Sequence, residues 1–197
     1  MTEMAKRYSY PWFIEQFENA KDTAETFILS VDENLFVQPP AGNRWAIAEC
    51  YSHLIKYGNL FFDDISTAIE NGKSSEVDFR QAFPPRWPWQ KVINFFEPPY
   101  KLKIKTIKSI KPDPVQDYNR MELLDEYINL QDQLIEQLEN AQHQAIDLGD
   151  AKIKHPVLTL LKVTLSESFG LIEAHQRRHQ WQAEQTLKAL EKKTANH

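Results

Sequence analysis

The sequence predicts an all-α protein: a four-helix bundle with a long, proline- and aromatic-rich crossover between its second and third helices. Three observations lead there. Apolar residues recur every three or four positions along four long stretches, the spacing that gathers them on one face of a helix. Turn residues separate the first stretch closely from the second, and the third from the fourth. Between the second and third, prolines at 84, 85, 88, 98, 99, 112 and 114 leave room only for short regular elements.

With 197 residues the chain is long enough for one sizeable core, and it reads as a single domain over 1–197. No apolar run approaches the ~18 residues of a membrane span, and Met1 to Arg7 do not lead into the apolar stretch of a secretory signal. A cytoplasmic protein is expected. The single cysteine, Cys50, fits a reducing compartment and excludes a multi-cysteine zinc site. The net charge of -5 repels phosphate backbones, so neither nucleic acid nor membrane is expected as a partner.

The first helix, of about 25 residues, carries Phe13, Phe17, Ala20, Ala24, Phe27, Val31 and Leu35 on one face, and Pro39, Pro40 and Gly42 end it. The second carries Ile47, Cys50, Leu54, Tyr57, Phe61, Ile65 and Ile69, with Asn71-Gly72 as its stop. Cys50 continues this stripe and reads as a core residue. From Lys73 to Asp117 the periodicity fails, but Phe83, Trp87, Trp89, Phe95, Phe96 and Tyr100 suggest that the crossover packs on the bundle. Its run Lys101 to Lys111 alternates lysine with Leu102, Ile104, Ile107 and Ile110. That alternation fits an extended segment with one apolar side better than a nucleic-acid or membrane patch.

Asn119 and Glu122 form a capping-box pattern that opens the third helix, whose stripe is Leu124, Ile128, Leu134, Leu138 and Ala141. After His155-Pro156 and a short apolar turn, Ser166 is the expected N-cap of the fourth. Its stripe runs Phe169, Ile172, His175, His179, Ala183, Thr186 and Leu190.

Two histidines therefore stand at core-facing positions. His175 and His179 are four apart, so their side chains leave one face about 6 Å apart at the β carbon, within reach of one ion. Buried without partners, each ring would keep an unsatisfied nitrogen, and a shared metal would answer both. A third ligand must come from another element; His53, at the edge of the second helix's stripe, is the best placed. His143, His155 and His197 read as solvated or capping residues. Arg177 and Arg178 are expected to point away from the metal face into surface ion pairs, with anion binding as the alternative for one of them.

Three sets of residues resemble one known family. The run Trp45-Ala46-Ile47-Ala48-Glu49-Cys50-Tyr51-Ser52-His53-Leu54, the segment Pro99 to Lys103 and the pair His175/His179 are similar to the DinB/YfiT-like superfamily of metal-binding four-helix bundles. The resemblance implies a right-handed up-up-down-down bundle, often a homodimer, in which His53, His175 and His179 bind nickel or zinc. It implies a small-molecule substrate, since relatives include thiol-dependent transferases, a thiol-dependent isomerase and metal-dependent hydrolases. Relatives commonly carry Ser or Thr where this chain has Ala46, which weakens the helix cap by about 1 kcal/mol. Glu49 then reads as a backbone cap, with a supporting role behind His53 as the alternative.

Three neutral imidazoles leave a divalent ion its full charge and at least one open position, suited to water or a low-molecular-weight thiol. Hydrolysis and thiol transfer use the same ligands, and no protein nucleophile or second acid/base is assignable. The expectation is a metal-dependent hydrolase or S-transferase, with Trp87 to Tyr100 contributing to the pocket wall. The alternative is a metal-binding or dimerisation module without turnover.

Overall fold

The computed structural model describes residues 5–42, 44–99, 106–115 and 118–194. Its architecture is mainly helical: α1 (Tyr10–Ser30), α2 (Glu33–Val37), α3 (Ile47–Glu70), α4 (Trp87–Phe96), α5 (Arg120–His143) and α6 (Leu165–Thr194). A two-stranded hairpin, β1 (Lys152–Lys154) and β2 (Lys162–Thr164), precedes α6 and departs from a purely helical expectation. Among the described residues no helix is long and apolar enough to cross a membrane.

The expected 25-residue first helix is two helices. Ser9 caps α1 by accepting the Trp12 N–H, with Pro11 in the first turn. At the other end Asp32 turns its carboxylate onto the Asn34 N–H at 2.8 Å, starting α2 rather than continuing α1. The buried face consequently runs Tyr10, Phe13, Phe17, Ala24 and Ile28, while Ala20, Phe27 and Leu35 are only half-buried. All seven residues of the stripe read on α3 are buried, and Asn71 closes that helix.

The proline-rich stretch contains α4 and a 3-10 turn at Lys108–Ile110. Phe83, Trp89 and Ile93 join the main core, whereas Trp87 and Phe95 are exposed. Within the alternating lysine run, residues 100–105 lie outside the described residues; the remainder is this turn, with Ile110 buried and Ile107 exposed, and not an extended strand. Asn119 caps α5 through the Met121 and Glu122 N–H groups, as its sequence position predicts.

The cap of α6 is Thr164 and not Ser166. Thr164 Oγ1 accepts the Glu167 N–H while the Glu167 carboxylate accepts the Thr164 N–H at 2.8 Å, a reciprocal capping box. Ser166 lies inside the helix and donates to the Phe83 carbonyl. Glu167 is wholly buried, and the Arg86 guanidinium reaches it with two bonds of 2.8 and 2.7 Å. This fastens the chain ahead of α4 to the start of α6 and holds the Glu167 carboxyl below the usual range despite burial. Arg86→Ala should lower stability by about 2 kcal/mol, less than a fully buried pair because two backbone N–H groups still serve the carboxylate. Urea unfolding at neutral pH checks this, and Arg86→Lys should recover part of the loss.

Helix α1 packs on α5 and α6, α3 on α5 and α6, and α4 on α6. Two apolar clusters fill the interior. One includes Phe13, Phe17, Phe61, Leu134 and Phe169; the other includes Ala24, Ile28, Cys50, Leu124 and Ala183. Along α3 the change from one cluster to the other falls between Leu54 or Ile55 and Tyr57, and along α6 between Ala174 and Ala183. His175 and His179 fall within that interval of α6, and His53 lies one turn before Tyr57 at the edge of the interval on α3.

Candidate metal centre

Position along the helices explains how three imidazoles meet. His53 is on α3 one turn before Tyr57, and His175 and His179 occupy successive turns of α6, which packs directly on α3. All three are buried, and one nitrogen from each lies within 4.8 Å of the others. The closest approach is His53 Nε2 to His175 Nε2, at 2.8 Å.

The tautomer of His53 is fixed by its surroundings. Its Nδ1–H donates to the Ile110 carbonyl at 2.7 Å, so Nε2 is left with a lone pair aimed at the other rings. Either tautomer of His175 is then incomplete. With its proton on Nε2, His175 donates a hydrogen bond to His53 Nε2, but the His175 Nδ1 lone pair is left buried without a partner. A proton on Nδ1 instead sets two Nε2 lone pairs face to face. His179 Nδ1 is likewise buried without a partner.

A shared divalent cation answers this arrangement. Two nitrogens bound at ~2.0–2.1 Å to one ion stand about 3.0–3.4 Å apart, so the closest pair needs to open by only a few tenths of an ångström. The donors are also in the protonation state a metal requires. Burial first, and then neighbouring positive charge, pushes all three rings toward the neutral form. His53 is lowered to about 4, its shift partly opposed by the Ile110 bond; His175 falls well below the ordinary value, and so does His179, where the Gln182 side chain opposes part of the shift.

Aromatic rings enclose the triad. Trp45 stacks on His179 with centroids 5.6 Å apart and lies 4.9 Å from His53. Tyr57 stacks on His175 at 4.1 Å, and Phe96 from α4 sets its edge against the same ring at 4.8 Å. The segment expected to wall the site thus contributes Phe96, while Tyr100 lies outside the described residues. Such walls lower the local dielectric and strengthen every charge interaction inside.

Arg178 corrects an expectation. It is buried, not at the surface: its guanidinium donates to the Phe95 carbonyl at 3.4 Å and lies over the Phe95 and Phe96 rings. Residues 175, 178 and 179 are three and four apart and share a side of α6, and the Arg178 charge contributes to the depressed basicity of all three histidines. Arg177 does form ion pairs, with Glu97 and Glu173. His155 is buried against Trp89, where its Nδ1 accepts the Val157 and Leu158 N–H groups; it caps a loop and is not solvated. His143 is exposed in the last turn of α5, and His197 lies outside the described residues.

The Glu49 carboxylate accepts the Ala46 N–H at 2.7 Å, which supplies one arm of the capping box that Ala46 cannot complete. The group that orients His53 is the Ile110 carbonyl, a backbone atom with no residue-type signature in sequence. Cys50 is wholly buried in the second cluster, and burial pushes its thiol far above the ordinary range.

No curated protein and no solved structure matches the chain. A family profile, that of the DinB superfamily, matches residues 16–183, a span that takes in α3, α5 and the three histidines. The chain belongs to the DinB superfamily.

Proposed function

We propose that His53, His175 and His179 hold one divalent ion, zinc or nickel, and that the protein is a metal-dependent enzyme acting on a small molecule, as a hydrolase or a thiol-dependent S-transferase. The observation that carries this reading is the incomplete polar accounting of the triad: buried, neutral imidazoles face one another, two with orphaned nitrogens. We further propose the right-handed up-up-down-down bundle, with residues 73–117 as its crossover, as one domain over 1–197 that works as a cytoplasmic homodimer.

When bound, the ion supplies Lewis acidity, which activates water or a thiol near neutral pH. The chain's own residues prepare the site for it. Ile110 fixes which nitrogen of His53 is available. Trp45, Tyr57 and Phe96 limit water and hold the rings in place. Arg178 adds a positive charge beside three uncharged ligands, which favours an anionic or thiolate-bearing substrate.

The same enclosure supports the alternative, a metal-binding or dimerisation module in which the ion ties α3 to α6 and Phe96 fills the space a substrate would need. Metal analysis of untagged protein, then a screen of low-molecular-weight thiols against electrophiles, separates the two. About one ion per chain and turnover lost on chelation with the fold intact support the enzyme. A large drop in melting temperature on chelation, with no turnover, supports the module. Protein that carries no divalent ion even after loading removes both.

A further inference from the structure

A second feature lies on the surface, in the hairpin ahead of α6. The turn between β1 and β2 closes with Leu161 N–H on the Leu158 carbonyl at 2.7 Å, and it presents Leu158, Leu160 and Leu161 at 49, 98 and 48 % exposure. Three exposed leucines within four residues gather apolar surface at one tip. Below the tip, Lys154 and Lys162 are direct cross-strand partners, both exposed. Like charges placed opposite each other weaken a strand pair, and a negative charge set between the two would relieve that repulsion.

The neighbouring chain repeats the pattern. Arg86 donates to the Lys162 carbonyl at 2.7 Å, and Trp89 stacks on His155 at the hairpin's turn, so the start of α4 is seated against this hairpin. Next to Arg86 stands Trp87, 70 % exposed, with Lys91 Nζ 4.3 Å from its ring. Arg86 is paired with Glu167 and Lys152 lies 3.9 Å from Asp150, which leaves Lys91, Lys154 and Lys162 as the cations this surface offers, in a chain whose net charge is -5.

We propose that this hairpin tip is a peripheral docking element for an anionic lipid surface, with the leucines entering the boundary of the acyl region and the lysines meeting lipid phosphates. Exposed leucine and tryptophan beside lysine is the composition of interfacial membrane contacts. The global acidity does not oppose it, because charges beyond about 8 Å are screened at physiological salt while the local cations are in contact range. A second copy fits less well: three leucines fall short of the roughly 800 Å² per partner of a stable interface, and a two-fold axis at the tip would bring lysines toward lysines. This inference is independent of the metal site.

Co-sedimentation of the full chain with vesicles of phosphatidylcholine containing about 30 % phosphatidylserine tests it, against vesicles of phosphatidylcholine alone. Expected are binding to the anionic vesicles only, a decline with added salt, and roughly 25-fold weaker partitioning for Lys154→Gln/Lys162→Gln. Leu158→Ser/Leu160→Ser should also release the protein, and because all four residues are exposed, circular dichroism and melting temperature should match the parent. Absent or lipid-independent sedimentation overturns the proposal. So does a parent protein that self-associates without vesicles and becomes smaller on the leucine substitutions, since the tip is then an interface between copies.

Discussion

His179→Ala is expected to reduce bound divalent metal from about one ion per chain to a small fraction of that. A four-ligand zinc site supplies about 10–16 kcal/mol, or roughly 3 kcal/mol per ligand, so losing one imidazole of three should weaken binding by about two orders of magnitude. His175→Ala and His53→Ala should do the same, because each ring contributes one nitrogen to the cluster. Glu49→Gln should leave metal content unchanged, since that carboxylate serves the Ala46 N–H, and exposed His143→Ala is the matching control. Elemental analysis after gel filtration reads the content. Loaded parent should also melt higher than metal-free parent, by an amount that grows with free metal, and His179→Ala should lose that dependence. Unchanged metal content in all three histidine variants would place the ion elsewhere or nowhere.

Why this triad was legible in sequence, and Arg178 was not, follows from what periodicity encodes. A spacing of four on an apolar stripe states that His175 and His179 share a buried face, and His53 stands beside two members of another such stripe. Arg178 falls three residues after His175, on the flank of that stripe, and charge alone argues for solvent. Its burial depends on Phe95 and Phe96, which arrive from α4, an element with no long-range sequence marker. The Ile110 carbonyl is invisible for a stronger reason: every residue has one, and only the fold decides which meets an imidazole.

The same reasoning accounts for the fold. Long stripes on α3 and α6 announce themselves because many positions must agree. The break after Ser30 turned on one aspartate hydrogen bond, and the helix start at Leu165 on the box formed by Thr164 and Glu167. The latter is legible, as Thr-x-x-Glu is the capping-box pattern, but Ser166 competes with it as a cap residue standing nearer the apolar run. The hairpin was hidden because its strands are three residues each, too short for alternation to separate from chance.

In metal-free protein, stability should fall as pH drops below about 6.5 and continue to fall toward pH 4. Histidine in the unfolded chain takes its proton near 6.5, whereas folded His53, held neutral mainly by burial, takes it only at about 4. Between these values the unfolded state binds more protons, so unfolding is favoured progressively as acid is added; above 6.5 both states are neutral and the contribution is complete. His53 alone accounts for about 3 kcal/mol across that interval, as an order of magnitude. His175 and His179 shift in the same direction and further, so their share is still being lost below the pH at which His53 protonates. Buried His155 adds in the same sense. Glu97, whose carboxyl is lowered chiefly by Arg177, loses its contribution only as acid approaches and passes the ordinary carboxylate value of 4.5. Glu173, raised by burial, takes its proton in the folded state above 4.5, so within this window it gains stability as acid is added and offsets part of the histidine slope. Glu173 and His155 are common to parent and triple variant, so the difference in slope between the two from 6.5 to 4.5 belongs to His53, His175 and His179. Urea midpoints measured across it should slope steeply in metal-free parent and much less in a His53→Ala/His175→Ala/His179→Ala variant, which retains His155. A parent curve as flat as the triple variant's would mean that the three rings are not held neutral together. The electrostatic preparation for a divalent ion would then be missing, even if the rings stand where one would bind.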